Sequence, residues 1–165
     1  MRIRDTTRDD REALRALLRQ TTFLESHEIS VAEELIEAHL SGSADYVIHV
    51  AEEEVGDGGV PPLLGFVCYG HNPVTDAIYD VYWIVVAPFA QRRGVGRALL
   101  DDTEHRVRAL GGRAIIVETS GRPEYRAAER LYESCGYTRV AEVTDFYKPG
   151  DAMHTYKKVL IPNRT

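Results

Sequence analysis

Two periodicities share this chain, and the points where one gives way to the other mark its elements. Ala13, Leu14, Leu17 and Leu18 recur at helical spacing. They follow Asp9 and Asp10, either of which can cap a helix, and a strand begins before them at residues 2–4. Ser30-Val31-Ala32-Glu33 has capping-box spacing ahead of Leu35, Ile36 and Leu40, which predicts the start of a second helix. Residues 46–51 and 63–69 are apolar runs of strand type. Between them, Gly56-Asp57-Gly58-Gly59-Val60-Pro61-Pro62 is too rich in glycine and proline for regular structure and predicts a hairpin tip. Residues 78–86 predict a central strand, 97–110 a helix stopped by Gly111-Gly112, and 114–117 the next strand. Residues 139–147 and 154–160 predict the last two strands, and 161–165 a loose tail. This order is α/β, and 165 residues suit one domain with an ordinary core.

The stretch after the central strand carries the chemistry. Tyr82, Trp83, Ile84, Val85 and Val86 run into Pro88, then Gln91-Arg92-Arg93-Gly94-Val95-Gly96, then a helix opening at Arg97. Two glycines one residue apart let the backbone approach an oxyanion, and the first amides of the helix have no partners within it. The helix dipole adds about half a positive charge there, and Arg92, Arg93 and Arg97 add full ones. This predicts a pyrophosphate site. A nucleoside-triphosphatase loop would place Lys and Ser or Thr after its last glycine, where Arg97 and Ala98 stand. A dinucleotide fingerprint needs three glycines and sits at the first strand of its domain, whereas this loop has two and lies past mid-chain. The pattern Q-x-x-G-x-G between strand and helix instead resembles the GNAT superfamily of acyl-CoA N-acyltransferases.

A second segment supports that resemblance. Glu118-Thr119-Ser120-Gly121-Arg122-Pro123 follows the strand at 114–117, and a short helix then carries Ala127, Ala128, Leu131, Tyr132 and Cys135 before Gly136-Tyr137. Pro123 suits the start of that helix and Gly136 its cap. The run is similar to the family's A-x-x-L-Y-x-x-x-G-[FY] ending. Together the two matches cover residues 78–147. The resemblance implies a mixed, mostly antiparallel sheet of six to seven strands flanked by about four helices, with central strands that splay apart. It implies that backbone groups of Ile84, Val85 and Val86 hold the pantetheine arm of acetyl-CoA as an added strand, with an amide near Val86 facing the thioester carbonyl. Gln91, Arg92, Arg93, Gly94, Val95, Gly96 and Arg97 would hold the pyrophosphate, and Tyr132 would protonate the departing sulfur.

Amine acylation also needs a base, and Glu118 and Asp80 are the leading carboxylates. A carboxylate in a cleft can have a raised pKa and act through water. Each could equally be a structural hydrogen-bond acceptor. Glu25, His27 and Glu28 fall between the first two helices, where the family shapes its acceptor pocket, and the plain alternative is a polar loop. His71 could stand at a cleft mouth. His27, His39, His49, His105 and His154 lack metal-ligand spacing, so no metal is assigned. Phe146 or Tyr147 could wall an acceptor site.

Composition narrows the partners. The formal net charge of −6 argues against nucleic acid, and CoA, itself an anion, requires positive charge gathered locally at the arginines. Cys68 and Cys135 are too few for a disulfide framework or zinc site, and small buried residues are expected. The first residues carry no apolar stretch, and no run reaches the roughly 18 apolar residues that span a membrane. A cytoplasmic protein without membrane contact is expected. The whole reading is an acetyl-CoA-dependent N-acetyltransferase acting directly from a ternary complex on the primary amine of a small molecule. Acetylation of a protein α-amine or lysine, or a noncatalytic acyl-CoA sensor, stay open. Dimers are frequent in the family, so a homodimer is among the partners to test.

Overall fold

The computed structural model describes residues 1–54, 59 and 61–160. The tail at 161–165 and most of the hairpin tip lie outside the described residues. Among the described residues seven strands and four α-helices are formed, with strand order β1-β2-β3-β4-β5-β7-β6. This is the mixed, mostly antiparallel sheet expected from the sequence. The chain groups into two compact units, one of Met1–Gly70 with Trp83–Thr103, the other of His71–Tyr82 with Glu104–Thr165.

The first unit contains β1 (Arg2–Asp5), α1 (Arg11–Gln20), α2 (Ser26–Leu40), β2 (Val47–Glu52) and nearly all of β3 (Leu63–His71). It also takes residues 83–86 of β4 (Ile78–Val86) and the start of α3 (Val95–Ala109). β2 pairs antiparallel with both β1 and β3, setting Ile48 against Cys68 and Val50 against Phe66. All four of these side chains are buried, and β3 is covered on both faces until its last residue, so its sequence reads as one continuous apolar run. Gly65 is required by packing: a Cβ there would stand 2.5 Å from the Val85 carbonyl oxygen. No side chain fits in that gap.

Of the two predicted helix starts, the first holds in position, with Asp10 the N-cap residue of α1, and the second shifts. Arg8–Asp10 forms a 3-10 turn ahead of α1, and the Asp10 carboxylate turns back to accept from the Thr7 amide (2.7 Å) and from Arg4 (2.8 and 2.9 Å) rather than capping the α-helix. Ala13, expected in the buried stripe, is exposed, while Leu14, Leu17 and Leu18 are buried. α2 begins at Ser26, four residues before the predicted box. Glu25 is its cap, and the Glu28 carboxylate accepts from the Glu25 amide at 2.7 Å. Ser30 lies inside the helix and its hydroxyl donates to the Ser26 carbonyl, the local bond that makes serine an ambiguous start signal.

The second unit holds residues 78–82 of β4, β5 (Ala114–Ser120), α4 (Arg126–Ser134), β6 (Thr138–Lys148) and β7 (Asp151–Val159). β4 and β5 are parallel in four register pairs, from Ile78↔Ala114 to Val81↔Val117. β7 pairs antiparallel with β5 and with β6, and β6 is exposed along its whole length. β5 runs three residues further than predicted, so Glu118 lies within the strand. Cys68 and Cys135 are both buried, as expected. Among the described residues no helix is long and apolar enough to cross a membrane.

Arg4 joins the N-terminal strand to two buried carboxylates, Asp10 and Glu52. The hydrogen bond from Arg4 holds the Asp10 carboxyl below its ordinary pKa. Burial pushes Glu52 up, but the bonds and charges of Arg4 and Arg2 outweigh it and leave that carboxyl lowered as well. Groups depressed in this way contribute stability above the unfolded carboxylate pKa of about 4, and lose it as pH falls through their folded values. Arg4→Met should therefore cost about 3 kcal/mol at pH 7, and progressively less as acid carries the pH down through the folded values of the two carboxyls. Urea unfolding of parent and variant across that pH range measures the difference.

Candidate active site

In the first unit, the end of β4 passes directly into the arginine loop. The Ala87 amide donates to the Leu64 carbonyl at 2.8 Å, and a 3-10 turn at Pro88–Ala90 follows, with proline at its start. Arg92 and Gly94 then adopt left-handed φ values of 59° and 81°. No atom lies within 4 Å of a Cβ built on Gly94. α3 starts at Val95, two residues earlier than predicted, so Val95 and Gly96 lie within its first turn. The first backbone bond of that turn runs from the Ala98 amide to the Gly94 carbonyl at 3.0 Å. The amides before Ala98 have no carbonyl of their own helix to reach. Gln91, Arg92, Arg93 and Arg97 are exposed around them, and Arg93 is held by Glu53 at 2.8 Å. A left-handed turn with open space at Gly94, the first amides of a helix and surrounding guanidinium groups fit the diphosphate of CoA. Just before the loop, Ile84 and Val86 are half-buried and Val85 is buried.

In the second unit, strand register places the two predicted carboxylates together. Asp80 stands opposite Ile116 on the parallel neighbour, and Glu118 is two residues further along β5. Alternation puts both side chains on the same face. Asp80 accepts a hydrogen bond from Asn72 Nδ2 at 2.9 Å. Burial raises the Asp80 carboxyl, against the pull of the Asn72 hydrogen bond and of His71. Burial also raises Glu118, and the charge of Asp80 adds to it. This is the behaviour of two like charges sharing one patch of sheet.

Tyr132 lies on α4, buried, with its ring centroid 5.6 Å from that of Tyr156 and 6.1 Å from that of Tyr137. Burial, with Tyr156 beside it, pushes the phenol far above its ordinary pKa, so it keeps its proton throughout the neutral range. Tyr156 pairs with Val117, whose side chain points away from the Glu118 face. Tyr132 therefore packs on the face of the strands opposite the carboxylate pair. Of its helix neighbours in the motif, Ala127 is exposed and Leu131 half-buried, leaving Tyr132 and Cys135 as the buried pair.

Other sequence candidates have local roles. Glu25 and Glu28 form the cap of α2, with His27 3.6 Å from the Glu25 carboxylate. His71 is exposed and packs edge-on to Tyr79. Phe146 and Tyr147 pack on each other, exposed on β6. His154 Nδ1 lies 2.5 Å from the Glu129 carboxylate. Asn72 had no place among the sequence candidates, because an asparagine before Pro73 signals a turn and not what its side chain reaches.

A family model described as an acetyltransferase (GNAT) domain matches residues 44–139. Mycothiol acetyltransferase of Thermomonospora curvata is 39% identical over 89 residues, which are 53% of this chain and 28% of that protein. The chain thus spans little more than a quarter of the curated relative it matches. A solved GNAT-family protein from Desulfovibrio desulfuricans is 36% identical, with a TM-score of 0.88, over 97% of this chain and 99% of its own. Aminoglycoside 6'-N-acetyltransferase from Enterococcus faecium shares the fold, at 20% identity and a TM-score of 0.75, with both chains fully covered. The arginine loop, the tyrosine helix and these likenesses agree: the chain belongs to the GNAT family of acetyltransferases, which draw their acyl group from acetyl-CoA.

Proposed function

We propose that this protein acetylates the primary amine of a small molecule by direct attack on acetyl-CoA within a ternary complex. The observation that carries this reading is the pairing of a coupled carboxylate couple, Asp80 and Glu118, with a permanently protonated phenol, Tyr132, on the opposite face of the same strands. Amide formation needs those two functions on opposite sides of the reacting carbon: a base for the incoming nitrogen and an acid for the departing sulfur. That mycothiol acetyltransferase and aminoglycoside acetyltransferase are named for small molecules supports the acceptor class.

The thioester supplies an activated acetyl group. The arginine loop binds the diphosphate, and the strand end at Ile84–Val86 offers backbone groups to the pantetheine arm and an amide to the carbonyl oxygen. As nitrogen bonds to the acetyl carbon, the amine's proton passes to the carboxylate pair, directly or through a water. The carbon–sulfur bond breaks, and Tyr132 hydrogen-bonds the departing thiolate and shares its proton with it; a thiol's ordinary pKa of about 8.5 lies below that of the phenol, so the transfer is completed only as the phenolate is reprotonated. Solvent then returns a proton from the carboxylate to the phenolate. No group on the protein is acylated.

Thiol release over a panel of small amines, peptides with free α-amines and lysine peptides tests the acceptor class. Turnover confined to peptides would move the acceptor to proteins, and calorimetric binding of acetyl-CoA without turnover on any amine would replace catalysis with sensing.

Gly94→Asp should lower acetyl-CoA affinity at least about tenfold while the circular-dichroism spectrum stays native. Aspartate tolerates the left-handed backbone, but its charge would stand where the diphosphate must rest. Isothermal calorimetry decides this, and unchanged affinity removes the loop from the site.

Tyr132→Phe removes only the hydroxyl. Turnover should fall about 10²-fold or more, with acetyl-CoA affinity nearly unaltered. A variant with parental turnover would show that Tyr132 is a packing residue.

The rate should rise with pH through an apparent value above the ordinary carboxylate range, since burial raises both Asp80 and Glu118 and the charge of Asp80 raises Glu118 further. The base acts when deprotonated, so a raised pKa moves the rising limb to higher pH. Losing that limb in Glu118→Gln, or in Asp80→Asn, would identify the base. If the profile survives both substitutions, neither carboxylate takes the proton and the enzyme selects an amine that arrives neutral.

A further inference from the structure

The carboxylate pair is not symmetric. Asp80 has a donor, Asn72 Nδ2 at 2.9 Å, whereas the Glu118 carboxylate has no hydrogen-bond donor among the described residues. Asn72 is held firmly enough to matter. Its backbone amide donates to the Ile78 carbonyl at 2.9 Å, closing the turn from β3 into β4, and its carbonyl accepts from the Thr75 amide (3.1 Å) and hydroxyl (2.8 Å). Its side-chain oxygen accepts from the Val74 amide at 3.3 Å. With the oxygen engaged on that side, the amide nitrogen is the end that faces Asp80, and only that end can donate. The turn thus presents one neutral donor to one member of the pair.

We propose that Asn72 is a positioning residue: it holds Asp80 as the standing anion of the pair and thereby makes Glu118 the group that takes the amine's proton. The inference rests on the reading of this pair as the base. In two like charges on one face, the carboxylate whose anion receives a hydrogen bond ionises first, and its charge then keeps the proton on its neighbour to higher pH. Other charged or titratable groups lie nearby. Tyr82 follows Asp80 on the same face of β4, and Lys157 on β7 pairs with Ile116 on that face, whereas His71, at the end of β3, packs on Tyr79, whose side chain alternates to the other face. His71 favours the Asp80 anion, in the same sense as Asn72.

The test is titration of the side-chain carboxyls by carbon-13 NMR, with the pH profile of kcat/KM measured alongside, in the parent, Asn72→Ala and Asn72→Ser. Serine can still accept from the Val74 amide and so preserve the turn, but it is too short to reach Asp80. In the parent the lower titration should belong mainly to Asp80 and the upper to Glu118. In both variants Asp80 should rise and Glu118 fall, closing the gap by roughly one pH unit, and the rising limb of the rate profile should move to lower pH with Glu118. A gap unchanged in Asn72→Ser, with a native amide spectrum, overturns the role of Asn72 and leaves the base reading intact. A gap that closes while the rate profile stays fixed overturns the base reading, and the inference with it. Asn72→Ala failing to fold leaves Asn72→Ser to decide.

Discussion

The parallel ladder between Ile78–Val81 and Ala114–Val117 is the constraint from which the chemistry follows. Parallel strands cannot be joined by a tight turn, so a crossover must leave the end of β4 and return to the start of β5. Here that crossover is the arginine loop and α3. The arrangement leaves a helix N-terminus just beyond the end of a strand, where the first amides and the dipole favour an anion. The same ladder sets Asp80 and Glu118 on one face, and the pairing of Val117 with Tyr156 carries Tyr132 on the other.

Electrostatics is handled locally. Against a formal charge of −6, the positive groups that matter are either gathered at the loop or locked to buried carboxylates. Arg4 serves Asp10 and Glu52, and Lys158 lies 2.7 Å from both Glu104 oxygens while also donating to the Cys135 carbonyl. These buried acids have their cations. Asp80 and Glu118 are instead raised, both by burial and Glu118 also by the charge of Asp80, and the donor that reaches Asp80 is the neutral Asn72 rather than a cation.

Where the sequence misled, a local signal was shared by two structures. Serine three residues before glutamate marks a helix start at residue 30, yet Ser30 satisfies itself inside α2 and Glu25 with Glu28 makes the cap. Asp10 stands at the N-cap of α1 as expected, but its carboxylate accepts from Arg4 and the Thr7 amide behind it and not from the first amides of the helix. β5 was cut short at Val117 because Glu118-Thr119-Ser120 is polar, although Thr119 and Ser120 are buried against β7. Residue type is the same in either outcome; which partner is in reach decides, Arg4 and Thr7 for Asp10, Glu28 for the Glu25 amide, and β7 for Thr119 and Ser120.

By itself the sequence determined the period of each segment, the glycine-arginine loop between strand and helix, and the tyrosine motif, because all of these depend on neighbours within about ten residues. Tertiary structure alone decided that Asp80 and Glu118 share a face, that Tyr132 lies on the other, and that Asn72 singles out one carboxylate. Those facts depend on strand register, and a shift of a single residue would reverse every side chain while leaving the sequence pattern the same.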